Sequence, residues 1–225
     1  MTNKPPLDAD MRADLYRVAC AFSDSASSKY AGVRVEPIRG GGVVMVGYNG
    51  MDLIAVEDPT GSINRPATIA VSKAILNIAV DLFRREGVHV RLKANNDMAW
   101  IDPDQSGQAA REIERGTHYD WRQILAPHAL MRLDPPFVHD GRMARKLSDA
   151  AIGLARAAQR SDEPYVLKGG MGATLATFPT WPDAVALFTH RAELDAVRAE
   201  EGLSTLWHPS RWVTGPRLAA VPGGA

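Results

Sequence analysis

An α+β fold, with antiparallel sheets carrying helices on one face, is what the hydrophobic pattern of this chain predicts. Three observations point to it. A helix-period stretch followed by two or three strand-period stretches recurs three times along the 225 residues. Adjacent strand stretches are separated by glycine-rich or Asn-Gly turns, the signature of hairpins rather than of crossovers to parallel strands. The helical stretches each have one apolar side, so each must cover something.

In the first unit, Asp8 and Asp10 open a helix predicted from about Ala9 to Phe22, with Met11, Leu15, Val18, Ala19 and Phe22 at helical spacing. The serine-rich run 23–28 ends it. Strands are predicted over Val33–Ile38, Val43–Gly47 and Leu53–Glu57, joined by Gly40-Gly41-Gly42 and by Asn49-Gly50. The second unit starts with a strand at Ala67–Val71. Ser72 can cap a helix over Lys73–Glu86, which Gly87 stops. Val88–Lys93 and Met98–Ile101 form a hairpin around Asn95-Asn96-Asp97. Residues 103–116 are polar, a loop or a short helix. The unit closes on His118-Tyr119-Asp120-Trp121-Arg122 and Pro127. In the third unit, Pro135-Pro136-Phe137-Val138 leads into a helix from Gly141 to about Arg160. Strands follow at Tyr165–Lys168, Ala173–Phe178 and Ala184–Phe188, with glycines 169, 170 and 172 at the turn. Beyond Thr189 come a charged helix, Arg191–Glu201, the segment Leu206-Trp207-His208-Pro209-Ser210-Arg211-Trp212, and a Pro/Gly/Ala-rich end. Burying two tryptophans is worth roughly 2 kcal/mol each, so this segment is expected to dock.

Composition excludes several classes of function. Formal net charge is +0 and hydrophobic content 45%, so nothing global signals nucleic-acid binding, and such a role must rest on local charge placement. The single cysteine, Cys20, can build neither a disulfide framework nor a cysteine metal site, and it lies on the apolar side of a helix. Met1–Asp10 has no apolar core of a signal peptide and no run is long enough to cross a bilayer, which points to a cytoplasmic protein without membrane contacts. The six histidines are dispersed, without the spacing of a helical metal site. No G-x-S-x-G turn is present. Gly40–Gly42 and Gly169–Gly172 lie between strands, a poor setting for a phosphate cradle. The sequence therefore supports no catalytic residue, metal or cofactor, and the expectation is a protein that is not an enzyme.

Local charge is concentrated on the helix at 141–160. At 100° per residue, Arg142, Arg145, Lys146, Arg156 and Arg160 fall within roughly a quarter to a third of the circumference. Met143, Leu147, Ala150, Ala151, Leu154 and Ala158 lie opposite. One acid, Asp149, shares the basic arc, which leaves +4 on the stripe. The helix at 73–86 adds Lys73 and Arg84, offset by Asp81 and Glu86. Such a stripe is either a solvated helix face or a surface for sequence-independent phosphate contacts.

The order of these units resembles the bacterial DNA polymerase III beta sliding clamps. In that family a strand ends in a "TDGHRL"-type turn and a domain closes on a "FPDYRRVLP"-type segment. Gly50 and Leu53 match the glycine and leucine of the turn, and Met51 and Asp52 replace its histidine and arginine. Tyr119-Asp120-Trp121-Arg122 and Pro127 match the closing segment. Leu187-Phe188-Thr189-His190-Arg191 stands where the family has "VMPMR". The resemblance spans about residues 10–191 and implies a DNA-clamp-like chain of about one and a half clamp domains. A complete domain would span 8–130 and a half-domain 131–191, with a C-terminal helix and extended tail at 192–225. It implies a non-enzymatic role in DNA replication or with DNA-bound partners. Double-stranded DNA would be held without sequence preference through Arg142, Arg145, Lys146, Arg156, Arg160, Lys73 and Arg84. Protein partners would bind near Gly50, Met51, Leu53, Phe188 and Arg191, and the chain would form a homo-oligomer. The alternative is a clamp-derived interaction protein that does not encircle DNA, such as a phage factor that binds or inhibits a host protein. Shortened, divergent clamp-like chains are of the kind that phages and prophages encode.

Overall fold

The computed structural model describes residues 6–23, 30–71, 76–78, 90–95, 98–102, 111–112, 119–125, 141–162, 165–170 and 173–189. The strands are β1 (Asp8–Arg12), β2 (Val33–Pro37), β3 (Val43–Tyr48), β4 (Asp52–Asp58), β5 (Ser62–Ile63), β6 (Ala67–Ala70), β7 (Arg91–Asn95), β8 (Met98–Asp102), β9 (Arg111–Glu112), β10 (Val166–Gly170), β11 (Ala173–Thr177) and β12 (Ala184–Thr189). The helices are α1 (Ala13–Cys20), α2 (Trp121–Leu125) and α3 (Gly141–Ala157). Residues 76–78 are helical, inside the expected helix at 73–86, most of which lies outside the described residues. So does everything after Thr189, including the tryptophan-bearing segment.

Two antiparallel sheets result. One has the order β5-β1-β7-β8; the other has eight strands in the order β10-β11-β12-β4-β3-β2-β6-β9. The larger sheet joins distant parts of the chain where β12 pairs with β4, with Leu187 opposite Leu53 and Phe188 opposite Asp52.

The strands β3, β4 and β12 are buried along almost their whole length, because the sheet is covered on both faces. Val43, Met45, Ile54, Val56, Ala186 and Phe188 face one core together with Leu15, Tyr16, Val18, Ala19 and Phe22 around α1 and Met143, Leu147, Ala150, Leu154 and Ala157 of α3. Val44, Val46, Leu53, Ala55, Val185 and Leu187 face a second core with Trp121 and Leu125 of α2. The alternation of the pleat assigns each residue its side. Helices α1 and α3 thus lie on one face, as the sequence predicts. The short α2 seals the other, and its Trp121 is almost fully buried.

The first element differs from expectation. Residues 8–12 form a strand rather than the start of a helix. Ala9 and Met11 alternate inward, and Asp8–Arg12 pair in register with Asn95–Arg91 of β7. Met11 fits both a period of 2 and a period of 3.6, and cross-sheet pairing decides between them. Arg12 marks the switch from strand to helix. Its backbone N–H donates to Asp58 Oδ2 at 2.8 Å and its guanidinium pairs with Asp14 at 2.6 Å. The same guanidinium donates to the Ala157 carbonyl at 2.7 Å, satisfying the C-terminal end of α3, and lies 5.2 Å from the Trp181 ring.

Helix α1 approaches both neighbours closely. A Cβ on Gly47 of β3 would fall on the Ala19 carbonyl oxygen, and one on Gly153 of α3 would come within 2.5 Å of Val18 Cγ2. Glycine at these two positions lets α1 seat between sheet and helix.

Candidate functional site

Helix α3 inserts Met143, Leu147, Ala150, Ala151 and Leu154 into the core, which fixes the direction of its basic arc. The arc is not uniformly available. Lys146 Nζ donates to Asp52 Oδ2 at 2.8 Å, and Arg142 Nη1 lies 3.1 Å from the same oxygen. Lys146 also sits 5.1 Å above the Phe22 ring, with its side chain 19% exposed; Arg142 is 44% exposed and Asp52 is fully buried. Arg160 pairs with Asp162 at 2.9 Å in an exposed contact that salt would screen. Arg145 and Arg156 are exposed and have no ion-pair partner among the described residues, and the same holds for Arg17 on the adjacent α1. The +4 read from the sequence therefore falls to +2 once Asp52 and Asp162 are set against the five bases. Lys73, Arg84 and Arg191 lie outside the described residues.

Asp52 is placed by the turn ahead of it. Asn49 Oδ1 accepts from the N–H groups of Met51 at 3.0 Å and Asp52 at 2.8 Å, an Asx turn. Gly50 has φ +95, and a Cβ there would come within 2.9 Å of the Tyr30 ring. Thr189 ties the turn to β12, its N–H at 3.2 Å and its Oγ1 at 2.7 Å from the Met51 carbonyl oxygen. Asp52 Oδ2 takes the two cations and a 3.3 Å contact from Asn49 Nδ2, while Oδ1 has no hydrogen-bond partner among the described residues.

The residues expected to meet a protein partner separate. Gly50 and Met51 are partly exposed at the turn. Leu53 is fully buried in the second core beside Leu187. Phe188 points to the opposite face, where its ring packs 5.5 Å from Phe22. Strand alternation fixes this: opposite Leu53 stands Leu187, one residue before Phe188.

Sequence reasoning missed two clusters around α2. Tyr30, Tyr48 and Tyr119 form a trio with ring centroids 4.8 to 6.1 Å apart beside the Asn49-Gly50 turn. Glu36 of β2 holds α2 to the sheet. Its carboxylate accepts from Arg122 Nη1 at 2.6 Å and Arg34 Nε at 3.0 Å, and the Trp121 indole N–H lies 3.4 Å away. The partner that matters most, Arg122, is 86 residues away, and the alternation of Val33 and Val35 makes Glu36 read as an outward polar residue beside Arg34, so nothing local signals the tie to α2.

Burial alone would raise the Glu36 pKa, but the hydrogen bond and charge of Arg122, then those of Arg34, outweigh it and hold the pKa below the ordinary 4.5. A depressed carboxylate pKa contributes stability that is complete above the unfolded value and is lost as pH falls through the folded one. The stability difference between wild type and Glu36→Gln should thus be constant above pH 4.5 and shrink below it. Urea titrations of both proteins at stepped pH check this; a difference that does not change on acidification would contradict it.

No group of three or more His, Cys, Asp or Glu side chains among the described residues could hold a metal, and no described helix is long and apolar enough to cross a membrane. No protein-family model matches the chain, and no curated protein does. Solved structures do. The beta clamp of Helicobacter pylori, bound to a DNA ligase peptide, superposes with a TM-score of 0.54 at 10% identity, covering 84% of this chain and 66% of that one. The DNA polymerase III beta subunit of Thermotoga maritima gives 0.52 at 9%, covering 81% and 64%. That of Borrelia burgdorferi, in complex with a natural product, gives 0.51 at 11%, covering 81% and 63%. The chain thus spans just under two thirds of the length of these clamps. At such identities the likeness is one of architecture, and it is specific: this chain has the fold of the bacterial sliding clamps.

Proposed function

We propose that this chain is a non-enzymatic, clamp-like protein of DNA replication that contacts the phosphate backbone through the helix face formed by α3 and α1. In this reading, residues 8–130 form a complete clamp-like domain and 131–191 a half-domain. The observation that carries it is the exposed set Arg145, Arg156 and Arg17, on two helices whose apolar sides are locked into one core. Phosphate contact needs cations on a rigid exposed surface and no base-reading geometry. Arg142, partly exposed beside Asp52, is a fourth contributor.

A labelled duplex should bind weakly, without regard to sequence, by fluorescence anisotropy at low salt. The triple variant Arg17→Gln, Arg145→Gln, Arg156→Gln should bind roughly tenfold more weakly or not at all, with an unchanged circular dichroism spectrum, because glutamine keeps good helix propensity. Equal affinity of the two proteins would remove the reading.

A second reading is a clamp-derived interaction protein that does not encircle DNA, of the kind a phage would direct at a host protein. It is favoured by the full burial of Leu53 and Leu187 in the second core, which takes both side chains out of reach of a bound peptide, and by the Asp52 pairing that offsets the stripe. Absence of DNA binding by wild type at low salt would leave this reading standing.

A further inference from the structure

The cations on the face of α1 and α3 fall into two groups with a gap between them. The two helices run antiparallel. Arg12, just ahead of α1, donates to the Ala157 carbonyl, Val18 stands against Gly153, and the Phe22 ring past the end of α1 lies 5.1 Å from the Lys146 ammonium. Arg17 is therefore level with the last turns of α3, toward Arg156, while Arg142 and Arg145 stand at the other end. Arg145 and Arg156 are eleven residues apart in sequence. Eleven residues make three helical turns, so the two share one line of the surface and lie about 16 Å apart. On that line, between them, are Asp149, which is exposed, and Ile152, which is partly exposed. The centre of the face thus carries an acid and an apolar side chain, and its ends carry the arginines.

We propose that Asp149 is a specificity-determining residue that makes this face select a duplex over a single strand. The inference rests on the phosphate-contact reading of the same face. A duplex offers two phosphate ridges on either side of a major groove about 12 Å wide. With α3 laid across that groove, each group of arginines meets one ridge, and Asp149 and Ile152 lie over the groove, where no phosphate stands. A single strand carries a phosphate at every nucleotide. Laid along α3 so as to reach both groups, it must set a phosphate against Asp149, and like charges at contact repel. Laid across α3, it reaches one group only and forfeits the contacts of the other. The acid therefore costs a duplex little and a single strand much.

Fluorescence anisotropy on the full chain at low salt, with a labelled duplex and an unstructured single strand of the same length, tests this in wild type, Asp149→Asn and Asp149→Lys. Wild type should favour the duplex. The ratio of duplex to single-strand affinity should fall about fivefold in Asp149→Asn, the worth of one charge at contact distance in water. It should fall further in Asp149→Lys, whose single-strand salt slope should steepen by about 0.7, one added phosphate contact. Circular dichroism should be unchanged, because the side chain is exposed and neither substitution lowers helix propensity. A wild type without preference for the duplex overturns the inference, as does a ratio that stays constant or rises in the variants, since Asp149 would then act on both forms alike or on neither. Failure of wild type to bind either form removes the phosphate-contact reading itself, and this inference with it.

Discussion

Gly47→Ala should unfold this protein at markedly lower denaturant than wild type, with a loss of about 3 kcal/mol. The added Cβ would occupy the position of the Ala19 carbonyl oxygen, and a Phe22 Cβ lies 3.1 Å away. Neither can yield by rotating a side chain. Relief requires lifting α1 off β3, which opens the packing of Leu15, Tyr16 and Phe22 against the sheet. Gly141→Ala is the matched control: it opens α3, and a Cβ there meets nothing within 4 Å. That variant should be neutral or gain a few tenths of a kcal/mol from helix propensity. Urea midpoints for the two variants beside wild type check the contrast. Equal midpoints would mean that α1 does not seat on β3 as described.

The second large effect centres on Asp52. Lys146→Met should destabilise by about 3 kcal/mol, because it leaves a fully buried carboxylate with the half-exposed Arg142 and a long contact from Asn49. Asp52→Asn should cost less, about 2 kcal/mol, since the side chains of Lys146 and Arg142 can turn to water. The two substitutions should be strongly non-additive in a double-mutant cycle, as contacting charges are. Asp52→Asn carries a functional consequence too. It releases two cations on α3, so duplex DNA should bind more tightly to it than to wild type. A destabilised Asp52→Asn with unchanged DNA affinity would mean that the Asp52 end of α3 does not face phosphates.

Much of this architecture is legible in local pattern. Strands β2, β3 and β4 and the strands β10 to β12 follow from apolar runs bounded by Gly40–Gly42, Asn49-Gly50 and the glycines at 169–172. Helix α3 follows from its single apolar side. The exceptions share a physical cause, in that long-range pairing decided them. Residues 8–12 satisfy two periodicities, and only β7, some 80 residues away, selects the strand. Asp52 reads as a turn residue after Asn49-Gly50, yet α3, 94 residues later, makes it a buried counter-ion. Arg142, Arg145, Lys146 and Arg156 stand on the side of α3 away from its buried residues, while Arg160 lies beyond the helix end at Ala157; helix geometry alone cannot say which of these cations meet an acid from another element. Leu187 and Phe188 differ by one residue, and only register with β4 says which of them stands beside Leu53.

The claim that most needs testing is that α1 and α3 present a phosphate-contacting face, and the salt dependence of duplex binding tests it most directly. Each neutralised phosphate contributes a slope of about −0.9 to log K against log salt. With Arg17, Arg145 and Arg156 engaged and Arg142 as a fourth contact, wild type should show a slope of roughly −3 to −4, and the triple glutamine variant a slope of about −1. A wild-type slope indistinguishable from zero, or one that the triple variant leaves unchanged, would contradict the account.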